Sequence, residues 1–151
     1  MMTELTQAEA EVLIQMIKKS LIDSINFPNK GEKKNFQVQG DSSKDKFDIQ
    51  LYRGNIAAHK LNYEAIVSVN KIILLELHVG DTLKHLNPDG SWIHGSHWHI
   101  YKQGYGRAFA IPASDVKSSD FESNTLKFFK EFSIVKPPTV IYQQELDCEI
   151  G

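Results

Sequence analysis

Histidines are concentrated in one short stretch of the chain. Four of the six lie within fifteen residues, namely His85, His94, His97 and His99. Successive side chains of a strand point to opposite faces, so His97, His99 and Tyr101 are predicted to share one face. Trp98 and Ile100 then lie on the opposite face, which we expect to be buried. The imidazole-bearing face is the first candidate for chemistry.

A metal site is one chemistry that this pattern could support. His97 and His99 would supply two ligands from one strand, and the third ligand would come from His85, His94 or Asp89. Neutral imidazoles, with or without a carboxylate, suit zinc and other divalent transition metals. The cofactor of this hypothesis is therefore zinc or a similar divalent metal, and its first ligand set is His97, His99 and His85.

A metal-free catalytic site is the second interpretation. One of His97 and His99 would act as a base and the other as an acid, while Tyr101, Lys102 or Arg107 stabilises charge. Such a layout suits RNA cleavage through the ribose 2′-hydroxyl. The catalytic candidates are His97, His99, Tyr101 and Arg107. The candidates for binding the substrate are Lys102, Tyr105 and Arg53.

A structural interpretation competes with both. The rings would only form hydrogen bonds, on a polar sheet face or on a surface that binds another protein. Arg53 and His59 have the spacing Arg-x5-His of one class of helical ribonucleases, but Gly54 and strand-like surroundings argue against the helix that this class needs. His59 and His78 are expected to be single strand residues without a role in a site.

The elements that must position these residues begin with a helix. Thr6-Gln7-Ala8-Glu9 has the form of a capping box, and apolar residues recur behind it at helical spacing, which predicts a helix near residues 6–23. A second helix is predicted within 115–133, most clearly over 125–132. Its expected apolar stripe consists of Phe121, Leu126, Phe129 and Phe132.

Strands are predicted between the two helices, where the apolar period changes to two. Phe36 and Val38, then Phe47, Ile49 and Leu51, predict a hairpin that turns at 40–43. Further strands are expected over 56–61 and 65–79, followed by a polar loop over 80–96. In the strand 65–79, Glu76 and His78 would face away from the neighbouring aliphatic residues, and an edge strand is expected over 139–142.

The histidine-bearing strand is predicted to be half of a hairpin, formed by 97–102 and 107–111 around a four-residue loop. This register pairs Lys102 with Arg107 and His99 with Ala110, and it places core-facing Trp98 against Ile111. The small alanine beside the imidazoles would leave room for a ligand or for a group of a partner.

These elements predict an α+β fold in which an antiparallel sheet of about five to seven strands carries the N-terminal and C-terminal helices on one face. The 151 residues suit a single domain over 1–151, with an acidic tail over 143–151.

Composition excludes several classes of function. The chain has 17 basic and 19 acidic residues, a net charge of −2, and only two arginines, which does not favour tight non-specific binding of nucleic acid. Cys148 is the single cysteine, so a disulfide within the chain is excluded. No apolar run has the length of a membrane span, and no basic start precedes an apolar run. We therefore expect a cytoplasmic protein without a membrane partner.

A set of short motifs resembles an uncharacterised family of small bacterial and prophage-borne proteins. The matching elements are Arg53-Gly54, Lys60, Tyr63, the run His85-Leu86-Asn87-Pro88-Asp89-Gly90, His97-x-His99-Ile100-Tyr101, Gly104-Tyr105 and Ala110. The chain departs from the usual family form at Arg107-Ala108-Phe109 and over 80–84. The resemblance supplies no catalytic residues, and the departure leaves a shared role for Arg107 without support.

The resemblance implies a role in phage, mobile-element or host-defence biology, and two classes of function fit there. One is a small enzyme, a toxin-like ribonuclease or a metal-dependent phosphoesterase, that acts on RNA or another phosphoester through His97 and His99. The other is a non-catalytic phage inhibitor that binds a host nuclease or a CRISPR effector, for which a mildly acidic surface is suited. Whether the chain forms a homo-oligomer does not follow from the sequence.

Overall fold

The computed structural model describes residues 4–55 and 60–142. Two helices are present in this part of the chain, α1 (Gln7–Gln15) and α2 (Phe121–Glu131). The strands of the first half are β1 (Lys18–Ser20), β2 (Ser24–Asn26), β3 (Lys33–Gln39), β4 (Lys46–Arg53), β5 (Leu61–Val67) and β6 (Ile73–Val79). The strands of the second half are β7 (Lys84–Leu86), β8 (Trp92–His94), β9 (His97–Ile100), β10 (Ala110–Pro112), β11 (Ile134–Lys136) and β12 (Thr139–Ile141).

Eight strands form the main sheet, in the order β10-β9-β6-β5-β4-β3-β1-β11. All neighbours in it are antiparallel except β1 and β11, which are parallel. Two small sheets accompany it, a parallel pair of β12 and β2 and an antiparallel pair of β7 and β8. The predicted α+β class is confirmed, while the predicted five to seven strands are too few for the main sheet.

One face of the main sheet is apolar and contacts α2. Phe128 of the helix stacks on Tyr63 of β5 at 5.4 Å and on Trp98 of β9 at 6.3 Å between ring centroids. The buried hydroxyl of Thr125 lies 2.9 Å from that of Tyr63. The predicted stripe was wrong at Leu126, which is 56% exposed. Thr125 and Phe128 lie on the same side of the helix and face inward, whereas Leu126 is turned about 100° around the axis from Thr125 and points away from Phe128.

The first helix is shorter than the predicted 6–23. Its capping box is present, because Thr6 and Glu9 exchange hydrogen bonds, but it ends at Gln15 and Met16 already has extended backbone angles. Residues 18–20 pair instead with β3 and β11, so long-range strand pairing overrides the helical spacing. The prediction of a helix was therefore wrong from residue 16 onward.

A buried lysine follows this change of structure. The Nζ of Lys18 donates to the carbonyl oxygens of Ile14 at 2.9 Å, Met16 at 2.7 Å and Phe132 at 2.8 Å. These carbonyls belong to the C-terminal ends of both helices, where backbone oxygens lack partners and the helix dipole is negative. Burial lowers the pKa of Lys18 to about 7, although the charge of Asp41 opposes that shift.

Two predicted segments are subdivided in the structure. The expected strand 65–79 is a hairpin of β5 and β6, whose connection places Lys71 at a φ of 64°. The expected polar loop 80–96 contains the hairpin of β7 and β8. Most of the strand expected over 56–61 lies outside the described residues, as does the acidic tail 143–151.

The first helix contacts the sheet at several points. Ala10 is fully buried in the apolar core, and the amide of Gln7 donates to the Tyr101 carbonyl oxygen at 3.2 Å. The placement of both helices on one face stays a prediction, and so does the single domain. Among residues 4–55 and 60–142, no helix has the length and hydrophobicity needed to cross a bilayer.

Candidate metal centre

The polar face of the main sheet brings three histidines together. Strands β6 and β9 are antiparallel neighbours, and their register pairs His78 with His97 and Glu76 with His99. Alternation places these four side chains on the face opposite Leu77 and the rest of the core. The expected orientation of Glu76 and His78 is therefore confirmed, and their strand is the direct neighbour of the strand that carries His97 and His99.

The three imidazoles converge closely enough to share an ion. One ring nitrogen from each of His78, His97 and His99 lies within 4.8 Å of those from the other two. Ring centroids are 4.7 Å apart for His78 and His99, 5.0 Å for His97 and His99, and 5.2 Å for His78 and His97. In a tetrahedral zinc site with bonds of about 2.1 Å the nitrogens would be roughly 3.4 Å apart, so small rotations would close this cluster around a metal.

Backbone carbonyls fix the tautomers of the two histidines on β9. The Nδ1 of His97 lies 2.9 Å from the Gly95 carbonyl oxygen, and the Nδ1 of His99 lies 2.7 Å from that of Arg107. A carbonyl oxygen only accepts hydrogen bonds, so each Nδ1 carries the proton. The Nε2 of each neutral ring is left with a lone pair, which is the arrangement that metal-ligating histidines use.

A carboxylate orients the third histidine. Glu76 is fully buried, and its Oε1 accepts hydrogen bonds from His78 Nε2 at 2.7 Å and from Arg107 Nη2 at 2.8 Å. Its Oε2 has no well-aligned donor but contacts the Nε of Arg107. Burial alone would raise the pKa of Glu76, but the hydrogen bonds from His78 and Arg107 outweigh it and hold the pKa below its ordinary value. An ionised carboxylate only accepts hydrogen bonds, so Nε2 of His78 carries the proton and Nδ1 of His78 is the free nitrogen.

Burial also keeps the histidines of β9 neutral. It lowers the pKa of His97, and together with the neighbouring His78 it lowers the pKa of His99 to about 4. Both rings are almost completely buried. A neutral imidazole is the form that binds a metal, whereas a general acid must hold a proton at working pH.

A fourth imidazole reaches the cluster from the hairpin of β7 and β8. The ring centroid of His85 lies 4.7 Å from that of His99 and 5.7 Å from that of His97. Its Nε2 donates to the Ala108 carbonyl oxygen at 2.7 Å, which leaves Nδ1 free by the same tautomer argument.

The Asn-Pro-Asp-Gly run forms the turn of this hairpin. Asn87 NH donates to the Ser91 carbonyl oxygen, Asp89 Oδ1 accepts from Ser91 NH, and Gly90 has a φ of +90°. The side chain of Asn87 is buried against β10, where it bonds to Ala110. The motif therefore positions His85 rather than offering a ligand of its own.

The other predicted site residues lie elsewhere. His94 is exposed and stacks beside Trp92, and Asp89 bonds within its turn, so the structure brings neither to the cluster. Tyr101 donates its hydroxyl hydrogen to the Leu5 carbonyl oxygen at 2.8 Å. These residues do not share a cluster with His97 and His99 among the described residues.

The predicted cationic and binding residues have other contacts. Arg107 contacts Glu76, and Lys102 lies over the rings of Tyr105 and Phe109 at 5.7 and 4.3 Å. Arg53 is buried over the ring of Phe121 at 4.7 Å. It is paired in register with core-facing Leu61, on the face of the sheet opposite the histidines.

The predicted register of the histidine-bearing hairpin is confirmed near its centre. His99 pairs with Ala110 and Trp98 with Ile111. The pairing of Lys102 with Arg107 was wrong, because Lys102 forms a bridge with Gly106 instead. The irregular backbone at this end of the loop lets the Arg107 carbonyl oxygen reach His99.

Sequence reasoning missed His78 and Glu76 as members of the site. Their shared face was visible in the alternation of β6, but the pairing of β6 with β9 joins residues about twenty positions apart through an intervening hairpin. Among the described residues, the only fully buried side-chain polar atoms without a hydrogen bond are Glu76 Oε2 and Asn124 Oδ1. The free nitrogens of the cluster therefore keep contact with solvent.

Comparison with protein families identifies a match over most of the chain. The model of a family of unknown function, DUF6978, matches residues 5–134. No curated protein and no solved structure matches the chain.

Proposed function

We propose that this chain, which belongs to the DUF6978 family of unknown function, is a metal-dependent phosphoester hydrolase whose metal is held by His78, His97 and His99. The observation that carries the proposal is the convergence of three imidazoles, each with one nitrogen tied to a carbonyl or carboxylate and the other free. Three protein ligands and one position open to water are typical of catalytic zinc sites.

The same contacts favour a metal over a metal-free pair of histidines. A metal-free mechanism needs one protonated imidazole, but burial lowers the pKa of both His97 and His99. Their Nδ1 atoms are already occupied as donors to backbone carbonyls. Neutral rings with a free Nε2 are suited to binding a divalent cation, and a set of three histidines is typical of one class of catalytic zinc site.

A bound divalent metal would supply two effects, the activation of a water molecule and the polarisation of a phosphoryl oxygen. In the proposed reaction the water oxygen would form a bond to phosphorus as the P–O bond to the ester oxygen breaks. The water would release one proton, and the leaving alkoxide would take one from solvent. His85 has a free Nδ1, and its ring centroid lies 4.7 Å from that of His99, so we assign it the role of accepting the proton that the attacking water would lose.

The phosphoester class is supported by the charges around the cluster. The Arg107 guanidinium is held by Glu76, so it balances a buried carboxylate instead of binding the substrate. Lys60 is exposed and lines the same cavity as His78, where its ammonium can attract an anionic substrate toward the metal.

The first test is elemental analysis of tag-free protein after incubation with Zn²⁺ and removal of excess ion. We expect one equivalent of zinc in the parent protein and in His94→Ala, which removes an exposed histidine outside the cluster, and none in His97→Ala/His99→Ala. Unchanged zinc in the double variant would overturn the site. Circular dichroism and thermal unfolding check that each variant is folded.

A second measurement tests the hydrolase. The zinc-loaded protein is assayed with bis(p-nitrophenyl) phosphate, with His94→Ala as the matched control for His97→Ala/His99→Ala. Hydrolysis that is retained in the control and lost in the double variant supports the proposal. Stoichiometric zinc without hydrolysis of this ester or of RNA would overturn the assigned reaction and leave only the metal site.

A further inference from the structure

Two adjoining cavities lie on the polar face beside the candidate metal centre. The first has a volume of about 570 Å³, and its walls include His78, Lys60, Asn62 and Tyr52. This volume is typical of small-ligand pockets. The second shares Tyr52 and Asn62 with it. The shared walls make the two cavities one groove, which begins at a metal ligand and runs away from it across the sheet.

Strand register explains why the groove is continuous with the histidines. Tyr52, Asn62, His78 and His97 pair successively across β4, β5, β6 and β9, and so form one row on the polar face. A ligand lying along this row would contact the strands in order and would reach the metal centre at its end. The groove is therefore built into the sheet rather than into a loop.

The side chains of the groove offer unused hydrogen-bonding groups. Within the described part of the chain, the half-buried side-chain amides of Gln50 and Asn62 make no hydrogen bond to protein. Each amide can donate and accept, which suits the mixed edge of a planar heterocycle. Tyr52 is a neighbour of both, since it pairs with Asn62 and lies two positions along β4 from Gln50. Its surface is 37% exposed, so its ring is accessible for stacking.

The two ends of the groove differ in the charged residues that line them. Lys60 lies in the cavity that contains His78, whereas Lys33 and Glu64 line the second cavity with opposite charges. An anionic group is thus favoured near the metal, and an uncharged polar group is favoured at the far end. A phosphate at one end and a heterocyclic base at the other match this distribution.

We propose that the groove formed by Tyr52, Asn62, Gln50 and Lys60 binds a nucleoside phosphoester, with the base on Tyr52 and the phosphate directed to the histidine cluster. The proposal rests on the proposed hydrolase for its reaction, but binding of the nucleotide does not require the metal. Stacking on an aromatic ring and an amide pair would recognise a nucleotide that is free or that belongs to a single strand.

Binding to metal-free protein separates this inference from the proposed function. Adenosine 5′-monophosphate, ribose 5-phosphate and inorganic phosphate are titrated by calorimetry into EDTA-treated protein. We expect the nucleotide to bind at least tenfold more tightly than either base-free compound, because stacking contributes affinity. Equal affinity for all three would overturn the groove as a nucleotide site, whatever the metal analysis shows.

Variants locate the binding. Tyr52→Ala should weaken nucleotide binding tenfold or more, and Tyr52→Phe should retain most of it, because the ring and not the hydroxyl provides the stacking surface. Trp92→Ala is the matched control, since Trp92 is an exposed aromatic residue that does not line the groove. Unchanged affinity in a folded Tyr52→Ala would overturn the proposal.

The zinc content of the same variants distinguishes a failure of the proposed metal site from a failure of the proposed nucleotide groove. Normal zinc with lost nucleotide binding in Tyr52→Ala supports both proposals, and nucleotide binding by a protein that holds no zinc supports the groove alone. A single-stranded tetranucleotide identifies the source of the ligand. Tighter binding of the tetranucleotide assigns the groove to a strand, equal binding assigns it to free nucleotides, and binding of neither overturns it.

Discussion

Asn87 and Ala110 are joined by a reciprocal pair of hydrogen bonds. The Nδ2 of Asn87 donates to the Ala110 carbonyl oxygen at 3.0 Å, and the Ala110 NH donates to Asn87 Oδ1 at 2.8 Å. The side-chain amide therefore takes the place of a peptide group of a neighbouring strand at the edge of β10. Because Asn87 follows β7 directly, this pair ties the hairpin that carries His85 to the sheet that carries His99.

Asn87→Ala is expected to release that hairpin while leaving the main sheet folded. The variant loses both hydrogen bonds and leaves two backbone groups of Ala110 without their partner, at a cost of about 1–3 kcal/mol. Hydrogen exchange should become faster over residues 84–94. Asn35→Ala, at an exposed asparagine of β3, should leave exchange there unchanged. Equal protection in both variants would contradict the tethering role.

Glu76→Gln is expected to weaken zinc binding by about 10–100-fold, the effect typical of groups that orient a metal-ligating histidine. The amide keeps the shape of the carboxylate but loses the charge that fixes the His78 ring. Competitive titration with a chelator of known affinity measures the change. Glu64→Gln, the opposite residue on β5, is the matched control and should retain affinity. A normal affinity in Glu76→Gln would show that His78 does not need its carboxylate.

Because burial lowers the pKa of Lys18, we expect the stability of the fold to rise with pH. Its pKa is about 7 in the folded protein and 10.5 in the unfolded chain, so between these values the unfolded state holds a proton that the folded state lacks. The free energy of unfolding should therefore increase from pH 7 to pH 10, with a slope of at most about 1.4 kcal/mol per unit from this group. Below pH 7 both states are protonated and the contribution to the slope disappears. Urea unfolding at several pH values measures it.

The matched pair Lys18→Met and Lys19→Met isolates this contribution. Lys19 is exposed, so its removal should leave the slope in place, whereas Lys18→Met should abolish the part that is due to the buried amine. The same slope in both variants would assign the pH dependence to other groups.

Phe128→Ala is expected to destabilise the fold by about 3–5 kcal/mol, because it removes a fully buried ring that stacks on Tyr63 and Trp98. Leu126→Ala, two positions earlier on the same helix, should change stability by less than about 0.5 kcal/mol because its side chain is exposed. Chemical denaturation of both variants tests which face of α2 contacts the sheet. Similar losses in the two would contradict that orientation.

Local patterns predicted the parts of the fold in which neighbours along the chain are neighbours in space. Alternation around Phe36 and Phe47 predicted the hairpin of β3 and β4. The expected register of the later hairpin predicted the pairing of His99 with Ala110, although its loop is closed by Lys102 and Gly106 instead of Lys102 and Arg107. The capping box at Thr6 gave the start of α1. Each depends on a period or on a turn that a short window contains.

Pairing between strands that are distant in the sequence explains the predictions that were wrong. Residues 18–20 fall within the span of a helical apolar pattern that continues through Ile17 to Leu21, yet they lie between β3 and β11, and the partner strand β11 is more than a hundred residues away. His78 joined the site for the same reason, since nothing in its own strand indicates that β9 lies beside it. The choice of His97 and His99 needed only alternation, whereas the third ligand needed the order of strands.

The lysine at position 18 imposes an order on assembly. Two of its acceptors, at Ile14 and Met16, exist as soon as the first helix forms, but the third belongs to Phe132, and the paired residue Ile134 follows it. An N-terminal fragment that lacks the last helix would leave this amine without its third acceptor and β1 without one neighbour. Such a fragment should therefore remain incomplete until a C-terminal piece that contains Phe132 and β11 is added.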